Sequence, residues 1–277
     1  MAAREFWVRF WGVRGSIPTS DPATQRYGGN TSCLEICCDG RTFIFDAGTG
    51  IRYLGNEMMR RGCPLDADVF LTHTHFDHVC GIPFFVPFFV PGNSFRIWAG
   101  HLLPVLDVHK VLTELMMAPL FPVPPSIFNS SLEFRDFHAG DTLHPADGVT
   151  LQTTALNHPN GATGYRVDFD GRSICYLTDT EHYPEGVDEN ARRLIEGADL
   201  VIYDSMYTPE EYESRIGWGH STWQAGAELC DAAGAGTLVI FHHDPEHCDQ
   251  FMDRLGTEAM AHRPGTVVAR EGLTLHP

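Results

Sequence analysis

The sequence predicts an α/β fold of four layers, an αββα sandwich in which two β-sheets pack face to face between outer helices. Short apolar strand candidates crowd both halves of the chain, and helical patterns fall between them. No Ser/Gly-rich linker, charge block or internal repeat divides the 277 residues. Strands and helices mixed in this way bury their apolar faces in stacked layers. With 43% hydrophobic residues the chain can fill one substantial core, so 1–277 is read as a single domain.

The first strand candidate, 6–11, alternates apolar and polar residues and breaks at Gly12-Val13-Arg14-Gly15-Ser16-Ile17-Pro18. Strands at 33–38 and 42–46 flank Asp39-Gly40, a two-residue hairpin signal. Asp46-Ala47-Gly48-Thr49-Gly50 opens a helix over 51–61, and a short apolar strand at 68–72 runs into a histidine cluster. Further strands are expected at 95–99, 132–137, 149–157, 164–169, 173–178, 200–204, 237–241, 267–270 and 273–276. Helical patterns cover 103–117, 188–196, 222–233 and 245–261, with Ser221 as the N-cap of the third.

Formal net charge is −17, and a field of that sign repels polyanions. It leaves room for a small anion, because bound cations reverse the sign locally. The eight cysteines form no Cys-x-x-Cys pair, and residues 1–10 carry Arg4 and Glu5 rather than an apolar run. Reduced thiols in a cytoplasmic protein without a secretory leader are therefore expected. Residues 79–91 are strongly apolar, but a membrane span needs about 20 apolar residues, and Pro83, Pro87 and Pro91 break any helix. No membrane partner is expected. Either this segment is buried, including at a homodimer contact, or Phe84–Phe89 walls a pocket beside the histidines.

That cluster, Thr72-His73-Thr74-His75-Phe76-Asp77-His78, carries the chemistry. Alternation puts His73 and His75 on one side of an extended backbone, and Asp77 and His78 follow as the chain turns away. Imidazole and carboxylate are the donors that zinc and similar divalent metals take. A merely solvated loop does not explain why such groups follow a buried strand. Three more donors stand just past strand ends: His158, Asp179 and His242. Together they complete a shell of seven, with His243 the rival for the last place.

The His-x-His-x-Asp-His run, followed by His, Asp and His at strand ends, resembles the metallo-β-lactamase fold through nearly the whole chain. Gly219-His220-Ser221-Thr222 and Ile240-Phe241-His242 are similar to the ribonuclease Z branch and its small phosphodiesterase relatives. The segments 11–18, Tyr27-Gly28-Gly29-Asn30-Thr31-Ser32 and 46–50 look like a bacterial subgroup of that branch. The resemblance implies that His73, His75 and His158 hold one metal and that Asp77, His78 and His242 hold another. Asp179 would bridge them, and His182 would lie near without a ligand role. The implied cofactor is a pair of divalent ions, zinc in first place with manganese or iron as alternatives.

Two such ions activate a water between them and polarise a phosphoryl oxygen. Asp77 would ligate a metal and orient or deprotonate that water. A leaving alkoxide needs a proton, and the resemblance assigns its delivery to His220, oriented by Asp204; the plainer reading is that His220 caps the following helix. Arg14, flanked by glycine, is a candidate phosphate contact.

Ribonuclease Z proper carries a long tRNA-gripping insertion between the histidine and aspartate matched here by His158 and Asp179. Here that interval is filled by two strands and the Asp170-Gly171 turn. A small phosphodiester, such as a cyclic nucleotide or nucleotide-derived diester, is therefore expected, with no extended nucleic acid. Trp218 or Phe84–Phe89 would stack a base. The alternatives are a thioester, lactone or β-lactam hydrolase, a tRNA 3′-processing endonuclease, a flavin-partnered diiron oxidoreductase and a non-catalytic signalling module.

Overall fold

Alternating side chains decide how the first layer faces the second. The computed structural model describes residues 4–277; Met1–Ala3, at the head of the stretch read for a leader, lie outside the described residues. β1 (Phe6–Gly12) turns Phe6, Val8 and Phe10 inward. β2 (Cys33–Cys38) and β3 (Arg41–Phe45) form the expected hairpin, with Asp39 at φ 52° and Gly40 at φ 80°. Positive φ at both turn residues matches the twist of the flanking strands. β4 (Asp66–Leu71), β5 (Ser94–Ala99) and β6 (Ser131–Asp136) extend the sheet in parallel.

The second sheet holds β7 (Thr142–Ala146), β8 (Val149–Leu156), β9 (Ala162–Phe169), β10 (Arg172–Leu177), β11 (Leu200–Asp204), β12 (Thr237–Phe241) and β13 (Val267–Val268). β14 (Thr274–Leu275) returns to the first sheet beside β1. The orders are β14-β1-β2-β3-β4-β5-β6 and β13-β12-β11-β10-β9-β8-β7. Between the sheets, Phe45 stacks on Phe70 at 5.3 Å and meets the edge of Tyr165 at 5.3 Å.

Helices cover both outer faces. α1 (Gly50–Arg61) buries Ile51, Leu54 and Met58 against the first sheet. The single turn α2 (Phe76–Val79) follows β4, and α3 (Val108–Leu115) lies against the same sheet. α4 (Glu189–Leu194) and α6 (Trp223–Ala233) cover the second sheet, with the short α5 (Pro209–Tyr212) between them in sequence. α7 (Asp249–His262) packs Met252 and Leu255 on Ile240 and Trp223. The result is the αββα sandwich that the sequence predicts.

Some details differ from the sequence reading. α3 begins only at Val108, where the Asp107 side chain caps Lys110 N at 2.8 Å, and Pro104 stands outside it. α7 likewise starts at Asp249, not at 245. The N-cap of α6 is Thr222, whose hydroxyl accepts from Ala225 N; Ser221 is engaged with Tyr203 and His182. The strand β7 is short, half exposed and carries a proline, so its pattern is weak in sequence. No helix among the described residues is long and apolar enough to cross a membrane.

Of the two readings of 79–91, burial describes its inward rings. Phe85 and Phe88 are buried and pack edge-on with each other and with Phe95 on the α1 side of the first sheet. Phe84 is exposed and meets Phe121, and Phe89 meets Phe128.

Topology sets one edge apart. β8 and β10 both lie antiparallel to β9, while β10, β11 and β12 run parallel, so all four end on the same side. Register pairs Asp204 with Phe241, which leaves Asp179 and His242 just past that edge. From the other sheet, the end of β4 is tied in by Tyr165 Oη donating to Leu71 O at 2.6 Å and Thr163 N donating to Thr72 O at 2.8 Å.

Replacing Phe70 by alanine, which opens a cavity between the sheets, is expected to cost about 3–5 kcal/mol. Urea unfolding measures it, and an unchanged midpoint would contradict this packing.

Candidate metal centre

Four strand ends deliver the donors to a common point: His73, His75, Asp77 and His78 follow β4, and His158, Asp179 and His242 follow β8, β10 and β12. His73, His75 and His158 form one trio and Asp77, His78 and His242 another, each with donor atoms within 4.8 Å of one another. In the first, His75 Nδ1 faces His158 Nε2 at 3.0 Å; in the second, His78 Nε2 faces His242 Nε2 at 3.3 Å. Asp179 stands between them. Its Oδ1 lies 3.7 Å from His73 Nε2 and 3.8 Å from His158 Nε2, and its Oδ2 lies 3.1 Å from His78 Nε2 and 3.3 Å from His242 Nε2.

The tautomers follow from what lies behind each ring. Thr72 Oγ1 gives its proton to Asp46, so at 3.1 Å it accepts from His73 Nδ1. His78 Nδ1 donates to Asp46 Oδ2 at 2.9 Å, and His158 Nδ1 donates to the Gly219 carbonyl at 2.8 Å. In its neutral form each of the three therefore turns an unprotonated Nε2 inward. His73 Nε2 is buried with no hydrogen-bond partner. Four-coordinate ligands at about 2.0–2.1 Å stand about 3.3 Å apart, close to the observed nitrogen pairs. The donor set fits divalent metal ions.

Electrostatics keeps His73, His75, His158, Asp77 and Asp179 in the ligand form and favours a proton on His78, which a bound cation would displace. Burial pushes the His73 pKa far down, and burial lowers His75 and His158 as well. Burial opposes ionisation of Asp77 and Asp179, yet His78 and His242 outweigh it and hold both below the usual carboxylate range. His78 is held up, against burial, by Asp179, Asp77 and Asp46.

A family model described as a β-lactamase superfamily domain matches residues 41–243, which include all seven donors. The chain belongs to the β-lactamase superfamily. A ribonuclease Z of Haloarcula marismortui is 25% identical over 312 aligned positions, covering 95% of this chain and 94% of that protein. The metallo-β-lactamase fold protein YhfI from Bacillus subtilis superposes with a TM-score of 0.74 at 19% identity, over 98% of this chain and 100% of that one. A diphosphatase of the PhnP family gives 0.69 at 18% identity, over 99% and 98%.

In this superfamily member, His220 and Asp204 adjoin the centre. His220 Nδ1 donates to Asp204 Oδ2 at 2.8 Å, and its ring stacks on His242 at 5.0 Å and lies 5.4 Å from His158. Burial opposes its charge, but Asp204, Asp179 and Asp77 raise its pKa to about 9. His182 braces the next residue, sharing a hydrogen bond with Ser221 Oγ at 2.8 Å. His243 points elsewhere: its Nε2 donates to Ala269 O at 2.8 Å.

Arg14 is a correction to the sequence reading. It is fully buried and donates to the carbonyls of Gly28, Asp244 and His247 at 2.7–2.9 Å, tying loops together behind the site rather than facing a phosphate.

Sequence reasoning assigned no role to several residues that shape the centre. Asp46 holds His78 and Thr72 and accepts from Tyr176 Oη at 2.8 Å. Ser16 N donates to Asp77 Oδ2 at 2.7 Å. Gly15 packs so closely on His242 that an added Cβ would stand 2.5 Å from its ring. Ser16, Asp46, Asp179 and His242 all adopt left-handed φ of 56–62°, a strained conformation for non-glycine residues that concentrates at functional sites. The glycine-rich motifs are visible in the sequence, but the packing partners of Gly15 and Gly28, His242 and Glu271, lie over two hundred residues away.

Gly15→Ala is expected to displace His242 from its trio and so to lower the divalent metal that the protein retains after dialysis; undiminished metal content would contradict this.

Proposed function

We propose that this β-lactamase superfamily member is a metal-dependent hydrolase that cleaves small phosphodiesters using two divalent ions. The observation that carries the reading is Asp179, with one carboxylate oxygen directed at each ligand trio. His73, His75 and His158 hold one ion, Asp77, His78 and His242 the other, and Asp179 both. Zinc is the first candidate, with manganese or iron accepted by the same donors. When bound, such a pair makes water nucleophilic near neutral pH and offsets charge on the phosphoryl oxygens.

The protein's own groups do the rest. Asp77, anchored through Oδ2 by the Ser16 amide, orients the attacking water. Asp204 takes the Nδ1 proton of His220 in a hydrogen bond, which leaves Nε2–H as the end that protonates the departing alkoxide. A proton donor of this kind suits an ester with a poor leaving group and favours a diester over a thioester.

The small substrate is supported by the hairpin β9–β10, which fills the interval between His158 and Asp179 with paired strands. The 312 positions aligned with the Haloarcula ribonuclease Z exceed the 277 residues of this chain, so that relative carries segments absent here. The net charge of −17 also disfavours an extended polyanion. Against this stand the relatives named ribonuclease Z, which keep precursor tRNA as the second reading.

Zinc- or manganese-loaded protein should hydrolyse bis(p-nitrophenyl) phosphate and one or more cyclic nucleotides or dinucleotides, and leave precursor tRNA and thioesters intact. Cleavage of precursor tRNA or thioesters without diester turnover would overturn the substrate class. His220→Ala should lower kcat by about 10²–10⁴ with metal content unchanged; unaltered turnover would remove its role.

A further inference from the structure

We infer that Glu181 is a positioning residue that fixes His158 and thereby one half of the metal centre. This rests on the reading of His158 as a ligand. Glu181 lies two residues beyond Asp179 and is 8% exposed. Its carboxylate accepts from Gly217 N at 2.8 and 3.0 Å, from Gly219 N at 2.8 Å and from Tyr212 Oη at 3.0 Å. Its main chain is engaged as fully. Glu181 N donates to Asn157 O at 2.8 Å, and Asn157 Nδ2 donates to Glu181 O at 2.9 Å.

Both sets of bonds converge on His158. Asn157 is the residue before it, and the Gly219 carbonyl is the acceptor of its Nδ1 proton. One residue thus braces the His158 backbone from one side and its ring from the other. The ring contact sets the tautomer that turns Nε2 toward Asp179. Ile216, Gly217 and Trp218 are exposed, so packing does little to hold this loop; the carboxylate does. His220, which follows Gly219 directly, is carried on the same anchored segment.

The chemistry requires a carboxylate. Three donors converge on it, and an ionised carboxylate offers acceptors only. A glutamine would have to turn its own N–H groups toward one of those donors. Groups that orient a metal's ligands from behind typically change metal affinity by about 10–100-fold when altered.

The test titrates protein stripped of metal with Zn²⁺ against a chromophoric chelator, for wild type, Glu181→Gln, Glu181→Asp and His158→Ala, with thermal melting alongside. Glu181→Gln should weaken one ion by about 10–100-fold, the same ion that His158→Ala weakens, and leave the other unchanged. Glu181→Asp keeps the charge but cannot reach both glycine amides, and should show the same selective loss to a smaller degree; it carries the test if the glutamine variant does not fold. Wild-type affinity for both ions, or equal weakening of both with a lowered melting temperature, would overturn the inference. Should the wild type hold fewer than two ions, the two-metal reading fails instead.

Discussion

Asp179 is the group on which the rest of the site depends. It follows β10, the central strand of the second sheet and the border of its parallel run, and its two oxygens address different sets of histidines. A buried carboxylate among so many imidazoles is costly to desolvate unless each oxygen has a partner. The fold meets that demand by ending β4, β8, β10 and β12 at one place. The hairpin geometry around β9 and the parallel pairing of β10, β11 and β12 are what make those ends coincide.

The centre is stabilised from behind as much as from within. Asp46, Thr72, Gly219 and Ser16 each take or give one hydrogen bond that leaves a donor atom free to face inward. Four left-handed residues absorb the backbone strain of turning side chains toward a single point. Such strain persists only where surrounding packing over-determines it. The inter-sheet core of Phe45, Phe70 and Tyr165 supplies that packing, and the Tyr165 hydroxyl links it to the end of β4.

Much of this was legible from residue order. Apolar runs bounded by turn signals marked the strands, and donors placed just past strand ends marked the edge where they meet. His243 was separable from His242 only weakly, by register, and the structure shows it turned to Ala269. What the sequence concealed is long-range. Arg14 sits between glycines in a loop, as a phosphate-binding arginine does, yet its carbonyl partners include residues 244 and 247. A like distance hides Gly15 against His242, and a separation of 36–38 residues hides Glu181 against the 217–219 loop. The start of α3 was misplaced because the Asp107 cap outweighs an apolar pattern that runs further.

The most direct measurement is a crystal structure of zinc-loaded protein with anomalous data collected at the zinc edge. Two peaks should appear, one within bonding reach of His73, His75 and His158 and one of Asp77, His78 and His242, with Asp179 contacting both. A single peak, or density that leaves Asp179 uncoordinated, would contradict the two-ion centre.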